Sequence, residues 1–142
     1  MTTHSVKHLI IGGDIIGCST AYHLAKSGEK GVVLLERAGL TEGATWHAAG
    51  LVGQLRSQRN TTRMLKRSVA MYDRLAAETG MAFDWKKVGS LRLAATAERL
   101  LEAKRLATMA RSFDLEMQII SAAEAKELFP LIDETGLHGA AF

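Results

Sequence analysis

Apolar residues fall along this 142-residue chain in short runs and periodic stretches, punctuated by glycine. Residues 6–11, with Leu9, Ile10 and Ile11 in succession, predict a short buried strand that Gly12-Gly13 stops. Over residues 15–27 the apolar positions Ile16, Ala21, Leu24 and Ala25 recur at helical spacing, and Gly28 stands where a glycine ends a helix. Residues 31–35 are a second β-branched run, closed by Glu36. Strand, glycine turn, helix and strand within roughly 30 residues make a βαβ unit, whose right-handed crossover requires a parallel sheet.

A polar, glycine-punctuated stretch follows over residues 38–53, too long for a minimal connection. Residues 61–79 return to helical periodicity, with Leu65, Val69, Tyr72 and Ala76 on one face and Gly80 as the stop. Residues 89–94 alternate Leu91 and Leu93 against Ser90 and Arg92, predicting a strand. A second amphipathic helix is expected over 97–113 and a strand over 117–120. Another helix is expected over 121–129, where Ser121 and Glu124 have the spacing of a capping box. Residues 135–142 have the small, apolar, glycine-flanked character of a strand being entered, which raises the expectation of a fragment of something longer.

Composition narrows the class. Hydrophobic residues at 47% and charged residues at 23% are those of a globular chain, and the length suits one domain. A net charge of +3 without aromatic interleaving gives no footing for nucleic acid. Cys18 is the single cysteine, so no internal disulfide forms, in keeping with a reducing compartment. The opening residues lack the layout of a signal peptide, and no apolar run approaches the ~18 residues of a membrane span. The expected location is cytoplasmic. His4, His8 and His138 share no metal-ligand spacing with a cysteine or acid, and His23 reads as a structural mid-helix residue.

The chemistry starts at the first turn. A dinucleotide fingerprint, G-x-G-x-x-G, uses its first glycine for the tight turn, its second for close approach of the pyrophosphate and its third for helix–strand packing. The helix N-terminus supplies free N–H groups to the phosphates, and an acid about 20 residues on takes the ribose hydroxyls. Gly12 and Gly17 fill the first and third positions and Glu36 supplies the acid, but the second position is Asp14. A carboxylate there confronts the diphosphate with like charge. At ~4 Å that repulsion is about 1 kcal/mol in water and about 4 at an effective dielectric near 20, or about fivefold to a thousandfold in affinity.

The segment from Leu40-Thr41-Glu42-Gly43-Ala44-Thr45 through Trp46-His47-Ala48-Ala49-Gly50-Leu51 is the most specific in the chain. Together with Ile10-Ile11-Gly12-Gly13 and Leu35-Glu36-Arg37 it resembles the sarcosine and dimethylglycine dehydrogenase family, flavin enzymes of the D-amino-acid-oxidase-like fold. The resemblance continues more loosely through Tyr72-Asp73, Glu78-Thr79-Gly80, the Gly89–Arg92 stretch and Leu128-Phe129-Pro130. It covers nearly the whole chain but only the N-terminal part of a typical member. It implies an α/β fold class: a Rossmann-like FAD-binding βαβ unit with a parallel sheet, here truncated. Residues 6–36 would be the dinucleotide unit, 38–53 the flavin loop, and 61–142 the start of further helices and strands, with substrate and folate domains absent.

By the same resemblance, Gly12, Ile15, Ile16 and Gly17 would offer backbone to the FAD pyrophosphate, and Glu36, with Arg37 beside it, would bind the ribose. Gly43, Ala44, Thr45, Trp46, His47 and Leu51 would wrap the flavin, with His47 joined covalently to its ring. The implied activity is oxidation of the C–N bond of a small-molecule amine such as sarcosine or dimethylglycine, with no catalytic acid or base identified and no acceptor specified. The family has glycine where this chain has Asp14, which weakens FAD loading. Two alternatives stand: a degenerate, non-catalytic relative with little or no flavin, which Asp14 favours, and an NAD-dependent dehydrogenase, which Glu36 permits. Cys18 reads as a small buried helix residue. Arg56, Arg59, Arg63, Lys66, Arg67 and Arg74 read as a solvated face, or as a guide for anionic substrate or cofactor phosphates.

Overall fold

A computed structural model describes residues 5–142; His4 lies outside them. The chain packs as two compact units, Met1–Leu51 and Val52–Phe142.

The first unit is the βαβ element. Strand β1 (His8–Ile11) pairs in parallel with β2 (Val32–Leu35), His8 opposite Val32 and Ile11 opposite Leu35. Helix α1 (Ile15–Lys26) joins them and ends at Ser27, with Gly28 at φ +85° just beyond, a left-handed position that glycine occupies without steric cost. Its half-buried side is Gly17, Cys18, Ser19, Ala21, Tyr22 and Leu24. Ile16 and Ala25, expected on that side, are exposed, Ile16 at 79%. With two strands to rest on, α1 buries none of its residues fully. Lys7 and His8 both reach Glu29, the histidine Nε2 lying 3.2 Å from its carboxylate, and so tie the start of β1 to the α1–β2 connection.

The second unit is antiparallel. Helix α2 (Arg59–Thr79) is stopped by Gly80 at φ +70°. Then come β3 (Arg92–Ala94), helix α3 (Ala97–Ser112), β4 (Ile119–Ile120), helix α4 (Ala122–Leu128) and β5 (Gly139–Ala141). The sheet order is β3-β5-β4, so the small apolar run near residue 140 is its buried central strand. The starts of α3 and α4 are capped by side chains: Thr96 accepts from the Arg99 N–H, and Ser121 and Glu124 complete the expected capping box. Ala103, Ala107 and Ala110 bury one face of α3, and Ala125, Ile132 and Ala140 form the core cluster with Leu91, Ile120 and Leu137 around it.

Small residues set the distances here. A Cβ on Gly139 would stand 2.8 Å from the Ile120 carbonyl oxygen, inside the contact limit, so only glycine lets β5 pass so close to β4. The alternation read over 89–94 is off by one at its end: Leu93 is 45% exposed and Ala94 is 1% exposed. On α2, Val69 is buried as expected, whereas Ala76 is exposed and Thr62 is fully buried, its hydroxyl accepting from the Arg56 N–H (3.0 Å) and donating to the Arg56 carbonyl (3.1 Å).

Candidate functional site

Candidate chemistry gathers where β1 runs into α1. Gly12 adopts φ +104°, available to glycine alone at no strain, and a Cβ there would meet nothing within 4 Å, so its outer side is open. A Cβ on Gly17 would overlap the Gly12 carbonyl oxygen, so the third fingerprint glycine lets the first turn of α1 lie on the preceding turn. In that first turn the N–H groups have no intrahelical acceptor. Cys18 N–H is the first to find an acceptor at the helix itself, the Asp14 carbonyl at 2.9 Å. The Cys18 thiol, half-buried, donates to the Gly13 carbonyl at 3.1 Å.

Glu36 closes the turn from below. Its carboxylate accepts from Gly13 N–H at 2.6 Å and from Ala38 N–H at 3.0 Å. The Gly13 N–H, then the Ala38 N–H, hold this carboxyl below the usual carboxylate range, against a smaller cost of burial and the like charge of Asp14. A carboxylate has about four lone-pair directions, so with the backbone donors of Gly13, Ala38 and Arg37 on it this one keeps room for a ribose hydroxyl.

Asp14 turns away from its own helix. It is the N-cap of α1 in extended backbone (φ −76°), yet its side chain makes no capping bond. Its carboxylate instead accepts from Ala44 N–H at 2.9 Å and, more weakly, from Thr45 N–H at 3.4 Å. Thr45 returns the contact across 30 residues, its hydroxyl accepting from Ile15 N–H at 3.0 Å. Burial pushes the Asp14 carboxyl up, but the donors of Ala44, Thr45 and Gly43 together outweigh it and hold the group below its ordinary value. Gly43 is needed for this: a Cβ there would overlap Asp14 Oδ2.

The turn thus brings together Gly12, Ile15, Gly17, Glu36, Gly43, Ala44 and Thr45. It does not enclose Ile16, Arg37, Trp46, His47 or Leu51, whose side chains are exposed, Trp46 at 79% and Leu51 at 90%. The His47 backbone N–H donates to Ala44 O at 3.2 Å, so the imidazole projects from a short turn anchored next to Asp14. Sequence reasoning overlooked Gly13. It is the buried residue at the hub, its carbonyl also accepting from Thr41 N–H at 3.0 Å, and a Cβ there would press to 2.7 Å from the Leu40 side chain. The doubled glycine was the available signal. Nothing in the sequence marked the bond between Asp14 and the loop.

The second unit resolves the cationic stretch. Arg59 donates to the Ser112 carbonyl (2.7 Å) and lies over the Phe113 ring, and Lys66 donates to the carbonyls of Phe113 (3.2 Å) and Asp114 (2.6 Å). These cations satisfy the C-terminal end of α3, with Arg63 lining the same open hollow of about 490 Å³. Arg56 donates to the Leu55 carbonyl and Arg74 pairs with Glu78 one turn on. Further along, Asp73 accepts from the Trp85 indole (2.9 Å) and Lys87 (2.7 Å), pinning the segment after Gly80 to α2. Among the described residues no cluster of three or more His, Cys, Asp or Glu side chains could hold a metal, and no helix is long and apolar enough to cross a membrane.

The geometry fits one end of a dinucleotide. An open Gly12, a Gly17 that seats the helix and a Glu36 with spare acceptors are what that ligand requires; the Asp14 carboxylate is the misfit. Comparison with known proteins agrees. The chain is 42% identical over 135 residues to mouse (Mus musculus) mitochondrial sarcosine dehydrogenase, covering 94% of this chain and 15% of that protein. It is 44% identical over 125 residues to rat (Rattus norvegicus) mitochondrial dimethylglycine dehydrogenase, covering 88% of this chain and 15% of the relative. The chain therefore spans about a seventh of these relatives' length. Its fold superposes on the crystal structure of L-proline dehydrogenase from P. horikoshii with a TM-score of 0.89 at 29% identity, over 99% of this chain and 37% of that one. Residues 7–142 match the FAD-dependent oxidoreductase family, and the chain belongs to it.

Proposed function

We propose that this chain is the FAD-gripping segment of an oxidoreductase that acts on the C–N bond of an N-methylated amino acid such as sarcosine or dimethylglycine. One observation carries the reading: the glycine turn, the start of α1, Glu36 and the 43–47 loop are joined by direct hydrogen bonds into one structure. The named substrates of the similar mammalian dehydrogenases supply the substrate class. Gly12, Ile15, Ile16 and Gly17 would hold the cofactor's diphosphate through backbone, and Glu36, beside Arg37, its ribose. Gly43, Ala44, Thr45, Trp46 and Leu51 would lie along the flavin, and His47 would link to it. When bound, the flavin supplies the hydride-accepting ring; the protein supplies orientation and a polarised surround.

The test is an absorbance spectrum of purified chain before and after acid precipitation, taken on the parent, on Asp14→Gly and on Asp14→Gly/His47→Ala. Acid-stable flavin absorbance in the Asp14→Gly chain, abolished by His47→Ala, supports the reading. Absence of flavin from both the parent and the Asp14→Gly chain would sink it. A second reading, a relative that folds without flavin, is favoured by the Asp14 carboxylate alone.

A further inference from the structure

We infer that Asp14 is a built-in anion: its carboxylate fills a receptor formed by the Ala44 and Thr45 N–H groups beneath Gly43, so an external diphosphate is received there only once that carboxylate is displaced. This rests on the flavin reading above and adds a gate to it.

Three contacts carry it. The carboxylate takes both loop N–H groups, at 2.9 and 3.4 Å, successive backbone donors of the kind that also bind phosphate oxygens. Gly43 has no Cβ where one would overlap Oδ2, so glycine at this position is what lets an anionic oxygen lie against the loop. Thr45 completes it from the other side, its hydroxyl bonded to the first N–H of α1 (3.0 Å). The loop is therefore held in place by the protein's own charge. Asp14 is confined near the position that the second fingerprint glycine would leave clear, since its backbone is the N-cap of α1. A dianion arriving at the α1 terminus meets this charge, and like charges ~4 Å apart reduce affinity between about fivefold and a thousandfold, depending on the local dielectric.

The experiment is a calorimetric titration of inorganic diphosphate into the parent chain, Asp14→Ala, Asp14→Asn and Asp14→Ala/Gly43→Ala, with amide hydrogen exchange at Ala44 and Thr45 read alongside. Asp14→Ala binds diphosphate at least tenfold more tightly than the parent. Asp14→Asn falls between them, since its amide oxygen still accepts one N–H while the charge is gone. Adding Gly43→Ala removes the gain. In the absence of anion, the Ala44 and Thr45 amides exchange faster in Asp14→Ala than in the parent, and diphosphate restores their protection. Equal affinity in parent and Asp14→Ala, no binding by either, or exchange rates unmoved by the substitution overturns the inference. If Asp14→Ala fails to fold, Asp14→Asn carries the same comparison. An Asp14→Ala chain that takes diphosphate but no flavin rejects the flavin reading and leaves this one standing. Flavin bound equally by parent and variant does the reverse.

Discussion

Among the described residues of Met1–Leu51 the buried one is Gly13, whereas Val52–Phe142 buries Val69, Ala94, Ala103, Ala107, Ala110, Ala125, Ile132, Ala140 and Ala141. The second unit is held by removing apolar surface from water, a non-directional force proportional to area. The first is held at its functional end by hydrogen bonds to two carboxylates, Glu36 on Gly13 and Ala38, and Asp14 on Ala44 and Thr45. Its strands expose Leu9, Ile11 and Leu35, and its helix exposes Ile15 and Ile16. A turn that is to receive a polar ligand has to keep its backbone donors addressable, and that is incompatible with an apolar plug. The division of labour is therefore chemical: one unit specifies position by directional bonds, and the other supplies packing.

That contrast can be broken most forcefully in the second unit. Ala140→Asp places an ionised carboxylate on a central strand residue of 0% exposure with no partner, and a buried unpaired charge costs about 3–5 kcal/mol. Chemical denaturation followed by amide exchange should show the β3-β5-β4 sheet lost while the Gly12–Leu35 backbone bond of the first unit persists. Simultaneous loss of both would show that the two units fold as one. Gly17→Ala makes the reciprocal change. Its Cβ overlaps the Gly12 carbonyl, and overpacking of this kind costs about 1–3 kcal/mol. Faster exchange should be confined to the α1 turn, with Ala140 unaffected; an unchanged turn would mean that α1 sits further from it.

Acid gives the smallest and most diagnostic effect. Asp14 and Glu36 both have folded pKa values below their ordinary ones, through backbone donors that favour the charged form. Their contribution to stability is complete above the unfolded values, about 4 for these side chains, and is lost as pH falls through the lowered folded values. Protection factors at Gly13 and Ala44 should hold steady from neutral pH down to about 4 and then drop, ahead of Ala140. Earlier loss at Ala140 would put the acid-sensitive contacts in the wrong unit.

The sequence made the first unit legible because its elements are announced by glycines with steric duties. Gly12, Gly17 and Gly28 mark the turn, the helix seat and the helix end, and all three occupy those places. Periodicity located α2, α3 and α4, and the Ser121 capping box. What escaped was packing by small residues. Ala94, Ala103, Ala107 and Ala140 carry little hydrophobic signal, so the leucine at 93 was favoured over the alanine beside it. The candidate site was legible as a set of residues but not as a network. The bonds from Asp14 to Ala44 and Thr45 span some thirty positions and leave no periodic trace. Arg59 and Lys66 look like a solvated face in sequence, yet they terminate α3.

The central place of β5 also bears on the order of events during synthesis. Strands β3 and β4 do not pair with each other; each finds its partner only in Gly139–Ala141. As a growing chain leaves the ribosome, β1, α1 and β2 can assemble from neighbouring segments. The alanine face of α3 and both flanking strands stay unsatisfied until residue 141 emerges. During that interval the second unit is the part of the nascent chain that a chaperone would recognise, because its exposed strand edges and apolar side chains have no local alternative.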